Sequence, residues 1–151
     1  MKRKVTLNVN NKSCELEIEP NRILSDVLRE DLGLTGTKKS CGMGVCGSCT
    51  ILLDGKAVLS CLMLAVDGVE SKITTIEGLA DGKKLDKIQE AFVDKGAVQC
   101  GFCTPGMILS AKALLSENPK PTEGEIRRAI AGNLCRCTGY AKIVEAIKSV
   151  T

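Results

Sequence analysis

The chain has 151 residues, a formal net charge of +3, nine cysteines, three aromatic residues (Phe92, Phe102 and Tyr140), no tryptophan and no histidine. The lack of histidine excludes Ser-His-Asp and Cys-His catalysis and Rieske-type ligation, and no stretch approaches the roughly 20 apolar residues of a membrane span. So little aromatic bulk leaves cysteine chemistry to help hold the chain together.

Residues 1–20 alternate in period two: Val5, Leu7 and Val9 share one face, then Cys14, Leu16 and Ile18, with Asn10-Asn11-Lys12 between them. This predicts a β-hairpin. Lys2, Arg3 and Lys4 read as its solvated edge. Asn21 is the expected cap of a short helix carrying Ile23, Val27 and Leu28 and ending near Gly33. Beyond a cysteine-rich loop at 36–49, TILL and KAVL flank Asp54-Gly55, a two-residue hairpin turn. A further apolar segment, LMLAV, meets Asp67-Gly68 before KITTI.

From Leu85 the period changes to that of a helix. Leu85, Ile88 and Phe92 predict one helix. Thr104-Pro105 predicts the start of another, bearing Met107, Ile108, Ala111, Leu114 and Leu115 and stopping at Asn118-Pro119. Thr122 and Glu125 form a capping box ahead of Ile126, Ala129 and Ile130. Thr138 is the expected cap of a last helix with Ile143, Val144 and Ile147. The chain thus reads as α+β, with a strand-rich unit at 1–78 and a four-helix unit at 79–151.

With no export signal at its N-terminus, the chain is read as cytoplasmic. A reducing compartment and an odd cysteine count argue against a disulfide framework and for metal or redox chemistry. In CGMGVCGSC, Cys41-x4-Cys46-x2-Cys49 followed by Cys61 has the spacing of a plant-type [2Fe-2S] site. Gly42, Gly44 and Gly47 let the backbone wrap closely and turn N–H groups toward sulfur. The same glycines spell a dinucleotide-binding fingerprint, but cysteines interrupt it and strand-like TILL follows where a helix is required.

The second set is Cys100-x2-Cys103 and, 31 residues on, Cys135-x-Cys137. By spacing alone, structural zinc competes with an iron–sulfur cluster here. Each pair precedes a predicted helix start, at Thr104 and Thr138, which favours an anionic centre. Cys14 is left over and reads as a core thiol. Two clusters of thiolate-bound iron would bring the net charge close to neutral, which removes the case for a nucleic-acid protein.

Taken together, CGMGVCGSC with its distant cysteine and the paired QCGFCTPGM and NLCRCTGY segments resemble the small iron–sulfur subunit of the molybdenum hydroxylases, the xanthine dehydrogenase and aldehyde oxidase family. The resemblance spans nearly the whole chain. It implies an N-terminal β-grasp, ferredoxin-like domain and a C-terminal four-helix domain, each with one [2Fe-2S] cluster. The ligands it implies are Cys41, Cys46, Cys49 and Cys61, and Cys100, Cys103, Cys135 and Cys137. It also implies a large subunit holding the molybdopterin cofactor, contacted by Gln99 and Cys137, an FAD-binding subunit, and assembly as a dimer of heterotrimers. Electrons would pass from molybdenum through the two clusters to flavin, with no substrate site on this chain. The competing readings are a free two-cluster electron carrier and a zinc-stapled interaction module. Arg136, Phe102 and Tyr140 receive no role beyond loop and packing.

Overall fold

A computed structural model describes residues 1–151. Strands β1 (Arg3–Val9) and β2 (Lys12–Ile18) form an antiparallel hairpin in which Val9 pairs with Lys12. Its two-residue turn puts Asn10 and Asn11 at positive φ, the backbone that matches strand twist in such a turn. A second hairpin joins β3 (Thr50–Leu53) to β4 (Lys56–Leu59) through Asp54 and Gly55, again both at positive φ. Strand β5 (Lys72–Thr74) lies between the hairpins, parallel to β1 and antiparallel to β3. The resulting five-stranded sheet has the order β2-β1-β5-β3-β4.

Helix α1 (Leu24–Asp26) runs directly into a π turn (Val27–Asp31) and lays Leu24, Val27 and Leu28 across the sheet, against Leu7, Val9, Ile18, Ile51 and Ile73. This is the helix-on-sheet arrangement of a β-grasp. The cap is not Asn21: the helix begins after Ile23, and the Leu24 N–H donates to the carbonyl of Met63. The same pairing explains LMLAV, which adds no strand to the sheet. Leu64 bridges Ile23, and the chain turns through short 3-10 segments at Ser60–Leu62 and Ala65–Gly68.

The second half contains α2 (Lys87–Asp94), α3 (Thr104–Glu117), α4 (Glu123–Ala129) and α5 (Ala141–Lys148). They enclose a separate core that includes Phe92, Met107, Ile126, Ile143 and Ile147, each essentially inaccessible to solvent. The Thr122–Glu125 capping box forms as expected, and Asp86 makes a second one with Gln89, leaving Leu85 outside α2 and exposed. Two expected caps differ. Cys103, not Thr104, occupies the cap position of α3, and α5 starts after Tyr140, whose φ of 67° places it in the left-handed region. Thr138 is committed elsewhere.

The halves meet where β3 packs on α3, with Leu52 against Leu109 and Ala113. A buried polar knot lies at the same junction. Asn133, 3% exposed, donates from Nδ2 to the Gly47 carbonyl (2.9 Å) and to Thr50 Oγ1 (3.3 Å), and its Oδ1 accepts from Ser110 Oγ (2.8 Å). Room for it depends on two glycines. A Cβ on Gly47 would fall 2.3 Å from the Gly132 carbonyl oxygen, and one on Gly106 would fall 2.5 Å from the Gly47 carbonyl oxygen.

Candidate iron–sulfur sites

The loop between α1 and β3 is held at its base by one ion pair and by carbonyl contacts. Arg29 Nη1 donates to the carbonyls of Thr35 and Thr37, and Lys39 pairs with Asp26. Above this base the backbone turns through positive φ at Gly42 and Gly44. That geometry aims the N–H groups of Met43, Val45 and Cys46 at Cys41 Sγ, at 3.5, 3.3 and 3.4 Å. Such a nest of amides favours negative charge. These hydrogen bonds draw the Cys41 thiol down to about 6.

Cys49 and Cys61 are both buried. Ser60 fastens them together, donating from N and Oγ to the Cys49 carbonyl at 3.3 and 2.7 Å. Burial pushes the Cys49 thiol up to about 11. Cys41 and Cys46 stand close enough to act on each other's ionisation, and Cys49 lies near both Cys61 and Cys46, so the four thiols gather in one place.

The second set behaves in the same way. Cys137 Sγ lies 3.5 Å from Cys100 Sγ, both exposed, while Cys103 at the start of α3 contacts Cys135. Burial pushes the Cys103 thiol up to about 12. Burial acts upward on Cys135 too, but the Thr138 hydroxyl and N–H and the Cys137 N–H outweigh it and leave that thiol at about 7. Here the predicted cap finds its actual use: Thr138 N lies 3.4 Å and its Oγ1 3.1 Å from Cys135 Sγ. Tyr140 closes the loop, accepting the Cys135 N–H at its hydroxyl (2.8 Å) and donating its own N–H to Thr138 Oγ1 (3.2 Å).

Four thiols gathered at each site fit a [2Fe-2S] core, in which each iron takes two thiolates. Cys14 takes no part: half-buried on β2, it lies 3.7 Å from the Lys12 carbonyl and packs on the sheet core. Gln99 is exposed beside Cys100, and Arg136 is exposed between Cys135 and Cys137.

The two sets adjoin. The Leu134 N–H donates to the Cys46 carbonyl at 2.9 Å, and Cys46, Ser48, Leu134, Cys135 and Tyr140 line one cleft of about 490 Å³. Ser48 Oγ lies 3.1 Å from Cys46 Sγ. Sequence reasoning misses Ser48 and Asn133 and gives Tyr140 only packing. The hydroxyls carry a faint signal, Ser or Thr two or three residues past a cysteine, whereas Asn133 carries none that is local.

Residues 7–78 match the family described as a 2Fe-2S iron-sulfur cluster binding domain, and residues 75–148 match the [2Fe-2S] binding domain family. The nicotinate dehydrogenase small FeS subunit of Eubacterium barkeri is 52% identical over 95% of this chain and 92% of its own. The chain belongs to the small iron–sulfur subunits of the xanthine dehydrogenase, or molybdenum hydroxylase, family. The xanthine dehydrogenase iron-sulfur-binding subunit of Escherichia coli O157:H7 is 48% identical over 95% of this subunit and 91% of its own length. In structure, quinoline 2-oxidoreductase from Pseudomonas putida 86 superposes with a TM-score of 0.95 at 49% identity, covering 97% of this subunit and 91% of the matched chain. The subunit is therefore the electron-transfer component of a multi-subunit oxidoreductase, binding two [2Fe-2S] clusters. No helix in it is long and apolar enough to cross a membrane.

Proposed function

We propose that this subunit carries electrons from a molybdenum–pterin centre on a larger partner to FAD on another, within a cytoplasmic dimer of heterotrimers that hydroxylates an N-heterocycle, a purine or an aldehyde. The observation that carries this reading is the pairing of eight cysteines into two adjoining sets, one with an exposed sulfur pair beside Gln99. Cys41, Cys46, Cys49 and Cys61 hold one cluster within residues 1–78; Cys100, Cys103, Cys135 and Cys137 hold the other within 79–151. When bound, the clusters supply reversible one-electron chemistry.

The chain's own residues place and temper that chemistry. The amides of Met43, Val45 and Cys46 stabilise negative charge at Cys41, and Thr138 does so at Cys135. Burial at Cys49, Cys61 and Cys103 keeps water from the inner sulfurs. Cys100 and Cys137 stay open to a partner surface, where the Gln99 amide offers both a donor and an acceptor to a pterin edge.

Iron and acid-labile sulfide analysis with low-temperature EPR of the reduced complex tests the reading. Two distinguishable [2Fe-2S] signals are expected, Cys49→Ser altering one and Cys103→Ser the other. Bound zinc without sulfide would refute it. Gln99→Ala is expected to leave both signals and slow electron entry from the partner.

A further inference from the structure

We propose that the Ser48 and Thr138 hydroxyls are paired tuning donors, each hydrogen-bonding the ligand cysteine of its own site that borders the cleft between the sites, and each raising the reduction potential of its own cluster. The inference rests on the [2Fe-2S] reading above. The two hydroxyls stand in matching positions, 3.1 Å from Cys46 Sγ and 3.1 Å from Cys135 Sγ. Cys46 and Cys135, and no other cysteines, are among the residues that line the cleft between the sites.

The direction of each bond follows from chemistry. A thiolate bound to iron has no S–H, so the hydroxyl must donate. At Thr138 the hydroxyl oxygen already accepts the Tyr140 N–H at 3.2 Å, which turns its proton toward Cys135. Tyr140 maintains this arrangement from a left-handed backbone while its phenol oxygen holds the Cys135 N–H. A non-glycine residue in that conformation is strained, and strain of this kind persists where surrounding contacts fix it. At Ser48 the residue is only 5% exposed, which limits competition from water for the proton.

When an electron enters either cluster, no bond to the hydroxyl forms or breaks and no proton leaves the oxygen. The site only becomes more negative, and a donor on its sulfur stabilises the reduced form more than the oxidised one. Because Cys46 and Cys135 border one cleft between the sites, the two donors act on the two ends of a single handover. Removing one changes the driving force in one direction, and removing the other changes it in the opposite direction.

The test is an EPR-monitored redox titration of the cluster-loaded complex, its signals assigned through Cys49→Ser and Cys103→Ser. For Thr138→Val the reduced-to-oxidised ratio of the second cluster is expected to fall about tenfold at fixed solution potential, equivalent to about 59 mV for one electron, with the first cluster unmoved. Thr138→Ser restores the original value. Ser48→Ala moves the first cluster by a similar factor and spares the second. Unmoved potentials, equal shifts in both clusters, or a Thr138→Ser variant indistinguishable from Thr138→Val would overturn the proposal. If Thr138→Val does not retain its cluster, the Ser48→Ala titration decides, and an unmoved first cluster overturns it. Wild-type complex without iron and sulfide would instead overturn the underlying reading.

Discussion

Replacing Asn133 by alanine removes three buried hydrogen bonds at the junction of the two halves. The loss is uneven. The Gly47 carbonyl keeps the Thr50 hydroxyl at 2.6 Å and the Thr50 N–H at 3.1 Å, so it stays satisfied. Ser110 Oγ, however, loses its acceptor in a site it cannot leave. An orphaned buried hydroxyl costs about 1–3 kcal/mol, and a lost net hydrogen bond about 1 more, so the expected total is about 2–4 kcal/mol. For a chain of this size each kcal/mol lowers the melting midpoint by roughly 2–4 °C, giving a fall of roughly 4–16 °C by circular dichroism. Asn133→Asp is the sharper probe. It keeps the shape but turns a carboxylate oxygen toward the Gly47 carbonyl, so it should destabilise more than alanine does. A fall of less than about 2 °C for Asn133→Ala, or an aspartate variant at least as stable as the alanine one, refutes the reasoning.

Gly106→Ala should cost about 1–3 kcal/mol, as overpacking in cores does, because its Cβ would meet the Gly47 carbonyl oxygen at 2.5 Å; chemical denaturation measures it. Cys14→Ser should leave the iron and sulfide content unchanged, since that sulfur lies on β2 away from both sets. Glu125 sits below its ordinary carboxylate value because the Thr122 N–H and hydroxyl bond to it. Its folded value being the lower one, its contribution is present above the unfolded value and disappears as pH falls through the folded value. The melting-point advantage of wild type over Glu125→Gln, followed downward from pH 6, should therefore shrink on acidification.

The hairpins were legible because their turn chemistry is local: Asn10-Asn11 and Asp54-Gly55 tolerate positive φ wherever they stand. The Thr122–Glu125 box was legible for the same reason. Caps failed where a side chain had a nonlocal alternative. Asn21 lost its place because Met63, far along the chain, supplies the first acceptor of α1. Thr138 is no cap because α5 begins only after Tyr140, whose N–H the Thr138 oxygen accepts while its proton faces the Cys135 sulfur. The eight cysteines could be gathered from spacing and resemblance, but which thiol stands beside which needed the fold, since Cys100 meets Cys137 across 37 positions. Asn133 was silent: an asparagine beside a cysteine motif gives no hint of partners at Gly47, Thr50 and Ser110.

That same knot bears on how freely the two halves can be exchanged. A splice at the natural change of period would look harmless on paper, since two separate family descriptions meet there. Yet Gly47 belongs to the first half, Gly106 and Asn133 to the second, and their atoms interlock with no space for a methyl group. A chimera of two relatives must therefore match at three positions far from its seam, so for the engineer this subunit is a single interchangeable part rather than two.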